Sequence, residues 1–458
     1  VVAILQAKQA VFAIVVLADL HVSLLESVNK VMWVYLSICH AAIGAAVRGG
    51  NAILMSSVYR MLSAMSVSQV SREISVARRM HDIEPFRVMA LLDRAKALQA
   101  AGRDIIHMEI GEPDFTTAAP IVAAADQALQ AGKTGYTQAL GIPELRRAIA
   151  AWYQKQYGLD IAPARIVVTP GGSGALLLLS ALLINPEEEL LMSDPSYPCN
   201  RHFLRLIEGR ARLIETTPET RYQLNADLVR EHWQPQTRGA LVASPANPTG
   251  EMLSREELRA LADACRERDG VLLVDEIYHG LTYGEDAVSV LEVADDAFVL
   301  NSFSKYFGMT GWRIGWLVAP EALVPQIEKL AQNLYISVTT VSQYAALAAF
   351  SDEAVAIHEV RRAAFAERRD YLVGALRELG FTVPHVPAGA FYVYADVSAF
   401  TQNSRQWCLD LLEQEGVAVT PGEDFGRYRC DEHVRFAYTD DLPRLQEAVA
   451  RIQRFIAS

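Results

Sequence analysis

Short apolar runs alternate with helical patterns from about Met80 onward. "IVVTPGGSGALLLLSALL" (166–183) passes from a β-rich run through a glycine loop into an apolar helix. "LLMSDPSYP" (190–198), "GALVASPANPTG" (239–250) and "GVLLVDEIYHG" (270–280) are apolar runs that end in polar, turn-forming residues. Between the last two, "SREELRALADACRERDG" (254–270) has helical spacing, a serine N-cap and a glycine stop. Repeated strand–loop–helix units predict a mainly parallel sheet with helices on both faces, an α/β fold. In such sheets the ligand sits beyond the carboxyl ends of the strands, where this chain concentrates its polar residues.

After Pro320 the pattern changes. "PEALVPQIEKLAQNLYISVTTVSQYAALAAF" (320–350) reads as mostly helical, and "EVRRAAFAERRDYLVGALRELG" (359–380) as an amphipathic helix ended by Gly380. "GAFYVYADV" (389–397) and "HVRFAYTD" (433–440) alternate like half-buried strands. This predicts a second, α+β domain, which the helix in "IEPFRVMALLDRAKALQAAG" (83–102) joins. The expected division is 79–118 with 321–458 for the small domain, 119–320 for the large one, and 1–78 as an atypical apolar extension.

The extension has few charges from Val1 to Val58, and "VMWVYLSICHAAIGAAV" (31–47) is near the shortest length for a membrane span. A weak anchor, an extra helical piece and upstream sequence foreign to the native protein all fit. The polar stretch beginning at Met65 favours the last. The start has no charged n-region followed by a cleavage site, so it is a poor signal peptide.

The chain has 458 residues, 51% hydrophobic, which suffices for one large core or two domains. A net charge of −12 with no long Lys/Arg run argues against nucleic-acid binding. Five cysteines without a CxxC pair read as reduced thiols of a cytoplasmic protein, not a disulfide framework or zinc site. No metal site is expected.

The chemistry concentrates in "NSFSKYFGMTGWRIGW" (301–316). Lys305 sits among small and aromatic residues, where partial desolvation favours the neutral amine. Such an amine can attack an aldehyde and form a Schiff base. Arg313, eight residues on, could hold an anion such as a phosphate at a set distance. "TPGGSGA" (169–175) would turn backbone N–H groups toward a phosphate. Alone it is equally a tight turn. Asp275 ends an apolar strand, where it is an N-cap or the partner of a protonated ring nitrogen. Tyr278 would reach the same ring, Asn247 could donate to a phenolate oxygen, and Tyr197 could stack on an aromatic group.

Together these segments resemble the fold-type I pyridoxal-phosphate enzymes, and among them the class I/II aminotransferases. The landmarks, in order, are "GEPDF" (111–115), "YTQALGIPELR" (136–146), "GGSGAL" (171–176), "DPSYP" (194–198), "ANPTG" (246–250), "DEIY" (275–278), "SFSKYFGMTGWRIG" (302–315) and "VRFA" (434–437). The resemblance implies a mainly parallel seven-stranded sheet between helices plus a smaller α+β domain. It implies pyridoxal 5'-phosphate joined to Lys305, with Asp275 at the ring nitrogen, Asn247 and Tyr278 at the ring oxygen, and Tyr197 on the ring. Gly172, Ser173, Gly174, Ser302 and Arg313 would bind the phosphate. Tyr136 would reach the phosphate of a neighbouring subunit, which implies a homodimer with shared sites. Arg435 would clamp the substrate carboxylate, beside Gly111 and Asn247. Asn247–Pro248 is a candidate cis bond.

The implied activity is transamination from an L-amino acid to a 2-oxo acid, 2-oxoglutarate or pyruvate, by ping-pong kinetics with Lys305 as general base. Ser173 stands where acid-selective relatives carry lysine, which argues against a dedicated aspartate enzyme. Phe115, Trp312 and Tyr335 are candidates for the side-chain pocket, or core aromatics. A carbon–sulfur β-lyase is an alternative on the same scaffold, as is, from another class, a transcriptional regulator with an aminotransferase-like domain.

Overall fold

The computed structural model describes residues 75–458. The apolar extension, with Cys39 and the 31–47 run, lies almost wholly outside them. Among the described residues no helix is long and apolar enough to cross a membrane.

Twelve strands organise residues 78–458. In chain order they are β1 (Ile106–His107), β2 (Ile166–Thr169), β3 (Glu189–Asp194), β4 (Arg210–Glu215), β5 (Thr237–Ala243), β6 (Val271–Asp275), β7 (Phe298–Ser302), β8 (Gly315–Val318), β9 (Tyr392–Asp396), β10 (Val417–Ala418), β11 (Thr420–Pro421) and β12 (His433–Ala437). β2 to β8 form a seven-stranded sheet in the order β2-β8-β7-β6-β5-β3-β4. Only β8 runs antiparallel to its neighbours. The α/β expectation is met, and the reason is local. β2 and β6 are nearly or fully buried runs of Val, Ile and Leu, as strands covered on both faces require.

Helix boundaries follow the expected signals. Ser254 caps the helix Arg255–Arg266 through a capping box with Glu257. Gly380, at φ +95°, follows the end of the helix Asp352–Glu378.

β11, β12 and β9 make a three-stranded antiparallel sheet, and β1 pairs in parallel with β10. Here the sequence reading needs correction. β12 is buried at every position and β9 at all but Asp396, not half-buried. Both faces of this small sheet are covered, so alternating polarity along it does not mark a solvent face. One such polar position in β12 is Arg435, 5% exposed.

The helix Arg87–Ala100 is seated by Asp424, whose carboxylate accepts from the N–H groups of Arg87 (3.0 Å) and Val88 (2.8 Å). Those are two of the donors a helix start leaves free. This fixes the chain at Phe86–Leu92 against the loop that follows β11.

Candidate active site

A cavity of about 430 Å³ opens beyond the carboxyl ends of β5 and β6, where an α/β sheet puts its ligand. Its wall includes Gly111, Gly172, Ser173, Tyr197, Asn247, Asp275, Tyr278, Lys305, Arg313 and Arg435, drawn from segments more than 300 residues apart.

Lys305 follows β7. Its Nζ donates to the Gly111 carbonyl at 2.6 Å and lies 5.8 Å and 5.6 Å from the ring centres of Tyr278 and Phe391. The exposure it retains is toward the cavity. Burial, then the charges of Arg435 and Arg313, pull its amine down to about 8. A workable fraction is therefore neutral and nucleophilic near neutral pH.

Asp275 ends β6, and its Oδ1 accepts from Ile277 N at 3.1 Å. Burial pushes its carboxyl up to about 6 against the opposing pull of that N–H and of Lys305. The neighbouring Glu276 faces the other way, accepting from Ser289 Oγ and Val290 N. Asp275 is thus the one acid of "DEIY" presented to the cavity, and it is left without a strong local partner.

The helix Gly171–Leu183 starts directly after β2 and Pro170, with Gly172 and Ser173 on the cavity wall. Gly171 has φ +68°, and a Cβ there would lie 2.8 Å from Arg313 Nη2. Only glycine lets the guanidinium come so close to the helix start. Arg313 itself holds a left-handed φ of +50°, and its Nη1 donates to the Thr310 carbonyl. An exposed guanidinium beside free helix-start N–H groups forms a cradle for an anion.

Arg435 reaches the opposite side. It donates to Asn247 Oδ1 at 2.9 Å, the Glu109 carbonyl at 2.6 Å and Thr420 Oγ1 at 3.3 Å. All three acceptors are uncharged, and Arg435 Nε has no partner. The Tyr392 ring lies 4.2 Å from its guanidinium carbon. A buried cation held only by neutral oxygens is prepared for an anion that comes from outside.

Sequence reasoning missed several wall residues. The Tyr392 hydroxyl lies 2.9 Å from that of Tyr278. A Cβ at Gly111 would fall 2.0 Å from the Tyr392 oxygen, so "GEPDF" needs its glycine. Glu109, fully buried, contributes its carbonyl to Arg435 and pairs through Oε1 with His107 Nδ1 at 2.7 Å. A lone acid inside the apolar run "IIHMEIG" was the available signal. Gly171 was passed over beside the glycines that follow it.

Some expected residues stand apart from the wall. Ser302 lies behind it, with Oγ 2.9 Å from Ser304 Oγ and donating to the Ile314 carbonyl at 3.1 Å, while Ser304 lines the cavity. A Cβ on Gly174 would meet Pro170 Cδ at 2.5 Å, so that glycine serves the tight turn. Tyr136 is 83% exposed. Phe115, Trp312 and Tyr335 pack on the hydrophobic core and do not line the cavity. Asn247–Pro248 is cis, as are Asp194–Pro195 and Ser244–Pro245.

This arrangement fits pyridoxal phosphate. The depressed amine of Lys305 suits an aldehyde. The underpartnered Asp275 suits a protonated ring nitrogen, and the cradle of Gly171, Gly172 and Arg313 suits a phosphate. Arg435 is left over for a carboxylate.

Comparison with known proteins agrees. The family model for class I and II aminotransferases matches residues 103–452. The chain is 40% identical over 378 residues to the valine–pyruvate aminotransferase of Mycobacterium tuberculosis, covering 82% of this chain and 97% of that protein. It is 32% identical to the aspartate aminotransferase of Bacillus subtilis, covering 84% and 99%. The crystal structure of an aminotransferase from Mycobacterium tuberculosis superposes with a TM-score of 0.81 at 39% identity, covering 84% and 99%.

Proposed function

This chain belongs to the class I and II aminotransferases, and from that premise we propose which of its residues carry the reaction. The protein is a pyridoxal-phosphate-dependent transaminase that moves an amino group from an amino acid to a 2-oxo acid. Bound pyridoxal phosphate supplies an aldehyde carbon that accepts the amino group and a ring that draws electrons from the substrate Cα–H bond.

Lys305 holds the cofactor through its ε-nitrogen and, once displaced by substrate, takes the Cα proton on Nζ as general base. Its depressed pKa suits both tasks. Asp275 keeps the ring nitrogen protonated. Tyr278 and Asn247 address the ring oxygen, with Tyr392 orienting the Tyr278 hydroxyl. Tyr197 covers one ring face. Gly172, Ser173 and Arg313 anchor the phosphate, Gly174 acting by shaping the turn that presents them and Ser302 through the Ser302–Ser304 turn. Arg435 takes the substrate carboxylate in two parallel hydrogen bonds, with Gly111 and Asn247 beside it. The observation that carries this reading is the set of three cations in one cavity, Lys305, Arg313 and Arg435, none bonded to a carboxylate there.

We read residues 119–320 as the cofactor-binding domain and 79–118 with 321–458 as the small domain, since the seven-stranded sheet falls in the first and the small sheets in the second. The working unit is a homodimer with shared sites. Tyr136 would then reach the partner's phosphate, a role that its exposure supports.

The test is to add single amino acids to holoenzyme and follow the cofactor absorbance. A donor should convert it to the amine form and release its 2-oxo acid, and a second 2-oxo acid should restore it with ping-pong kinetics. Release of ammonia and pyruvate in place of a new amino acid would identify a β-lyase instead. Sedimentation should give a dimer, and Tyr136→Phe should weaken cofactor retention.

A further inference from the structure

The loop between β11 and β12 reaches three sides of the cavity. Phe425 is 2% exposed, and its ring centre lies 4.8 Å from the guanidinium carbon of Arg435. Asp424 seats the helix Arg87–Ala100, and Phe86, Val88, Met89 and Leu92 at its start make an apolar stretch of the cavity wall. The Phe86 ring is 6.2 Å from that of Tyr197, the residue assigned to the cofactor face. Residues 425–429 belong to no strand or helix, so ladder hydrogen bonds do not hold them.

The hold comes from the large sheet. Asp194 ends β3, is buried and does not line the active-site cavity. Its carbonyl accepts from Thr216 N at 3.1 Å and Thr216 Oγ1 at 2.9 Å, which fixes its main chain. Its carboxylate accepts from Arg427 N at 3.0 Å and Tyr428 N at 3.2 Å. Ser196 N donates to the Phe425 carbonyl at 2.8 Å, and Arg201 Nη1 to the Asp424 carbonyl at 3.3 Å. The stretch 194–201, which carries Tyr197, thus grips residues 424–428 along their length. Gly426 lies at the centre of the grip. A Cβ there would fall 1.6 Å from Asp194 Oδ1, and the next two atoms it would meet, at 2.5 Å and 3.1 Å, belong to the same carboxylate. Its φ is not left-handed, so glycine is required here for space. Burial pushes the Asp194 carboxyl up, against the pull of the two N–H groups. A carboxylate kept there despite that cost makes charge-assisted, stronger bonds to them.

We propose that Asp194 is a positioning residue for the substrate carboxylate: by clamping residues 425–428 it keeps Phe425 against Arg435. Two rings bear on that guanidinium, Tyr392 at 4.2 Å and Phe425 at 4.8 Å. With both in place the fork has little freedom to turn. A pair of parallel hydrogen bonds to a carboxylate depends on its orientation, so loosening one ring weakens binding. The carboxylates of the amino donor and the 2-oxo acceptor meet Arg435 in turn, and the effect falls on both. The inference rests on the assignment of Arg435 made above but can fail separately from it.

Kinetics and direct binding test it. In holoenzyme, Asp194→Ala should raise KM for donor and acceptor about tenfold, with kcat within about threefold of wild type and the same cofactor absorbance. Asp194→Asn keeps one oxygen for the loop N–H groups and should recover most of the loss, leaving KM up about threefold. Calorimetric titration with propionate, which has the carboxylate and no amino group to react, should show binding about tenfold weaker in Asp194→Ala. A variant that loses thermal stability but keeps its KM values and its propionate affinity would overturn the proposal, as would a fall in kcat alone. Propionate binding that Arg435→Gln leaves unchanged would overturn the assignment of Arg435 instead.

Gly426→Ala reaches the same contact from the loop and leaves the carboxylate in place, so it carries the test even where Asp194→Ala does not fold. Its Cβ should push the loop off Asp194 and raise both KM values about tenfold. Added to Asp194→Ala it should raise them less than about twofold further, because the atoms it would meet are gone. Independent, fully additive effects of the two substitutions, or an unchanged KM in folded, cofactor-loaded Gly426→Ala, would contradict the clamp.

Discussion

The Arg313 end and the Arg435 end of the cavity, which we assign to the cofactor phosphate and to the substrate carboxylate, are built in different ways. At the Arg313 end, Gly171–Ser173 open the helix that follows β2 and Arg313 lies two residues before β8, and β2 and β8 are paired neighbours in one sheet. Its cation is exposed and bonded to a single backbone carbonyl. At the carboxylate end, Arg435 is buried, flanked by aromatic rings and held by oxygens from Asn247, Glu109 and Thr420, which lie far apart in the chain. The first end is a local motif that can hold its anion permanently. The second is a tertiary assembly suited to an anion that arrives and leaves in each half-reaction. Lys305 and Asp275 lie between them.

The largest effect should come from removing the group common to both ends. Lys305→Ala should lower kcat on the order of 10⁴-fold or more, because base and covalent attachment go together. Phosphate-end contacts should still allow noncovalent cofactor binding, visible as a free-aldehyde absorbance.

Arg435→Gln tests the carboxylate end alone. Truncating one partner of a buried charged interaction should cost about 10²–10³-fold in kcat/KM for every donor and acceptor, mostly through KM. The cofactor spectrum should not change. A spectral change equal to that of an Arg313 variant would erase the distinction between the ends.

Asp275→Asn should reduce kcat about 10²-fold yet make the apoprotein more resistant to denaturant. The sign follows from the raised carboxyl pKa. Between 3.8, the ordinary value, and about 6 the folded protein holds a proton that the unfolded chain has released. Stability therefore falls as pH rises through that window, and the cost, about 3 kcal/mol at most, persists above it. Asparagine removes the charge that incurs it.

Lys305 titrates the other way. Its amine is depressed from 10.5 to about 8, so the folded apoprotein loses this proton before the unfolded chain does. Stability from this group rises with pH between about 8 and 10.5. The rate of cofactor uptake by apoprotein should climb about tenfold per pH unit below 8 and level off above it. A flat profile would mean the amine is not depressed.

The smallest effect expected is that of Tyr392→Phe. It removes one hydrogen bond to Tyr278 and should lower kcat about three- to tenfold, in line with about 1 kcal/mol.

The same contrast governs what could be read from the sequence. The phosphate end and the centre were legible because strand, turn and ligand share one stretch of chain, as in "TPGGSGA", "DEIY" and "SFSKYFGMTGWRIG". The mainly parallel sheet followed from the same units, and its seven strands from the family resemblance. The surroundings of Arg435 were not legible. They depend on the register that sets β12 against β9 and β11, and on β1 joining β10 across more than 300 residues. Tyr392 was visible as a strand residue, but alternation within a doubly covered strand does not say which tyrosine meets Tyr278. Ser302 was named by motif but lies behind the wall, and the turn that sets Ser304 on the wall was not read. The apolar wall at Phe86–Leu92 looked like one face of an ordinary helix. Its proximity to Tyr197 depends on Asp424, far down the chain.

The central claim is that one lysine joins the cofactor and moves the proton. Borohydride reduction of the holoenzyme, followed by proteolysis and mass mapping, tests it most directly. The account predicts one reduced phosphopyridoxyl group, on the peptide carrying Lys305. An adduct on any other lysine, or none on fully loaded protein, would contradict it.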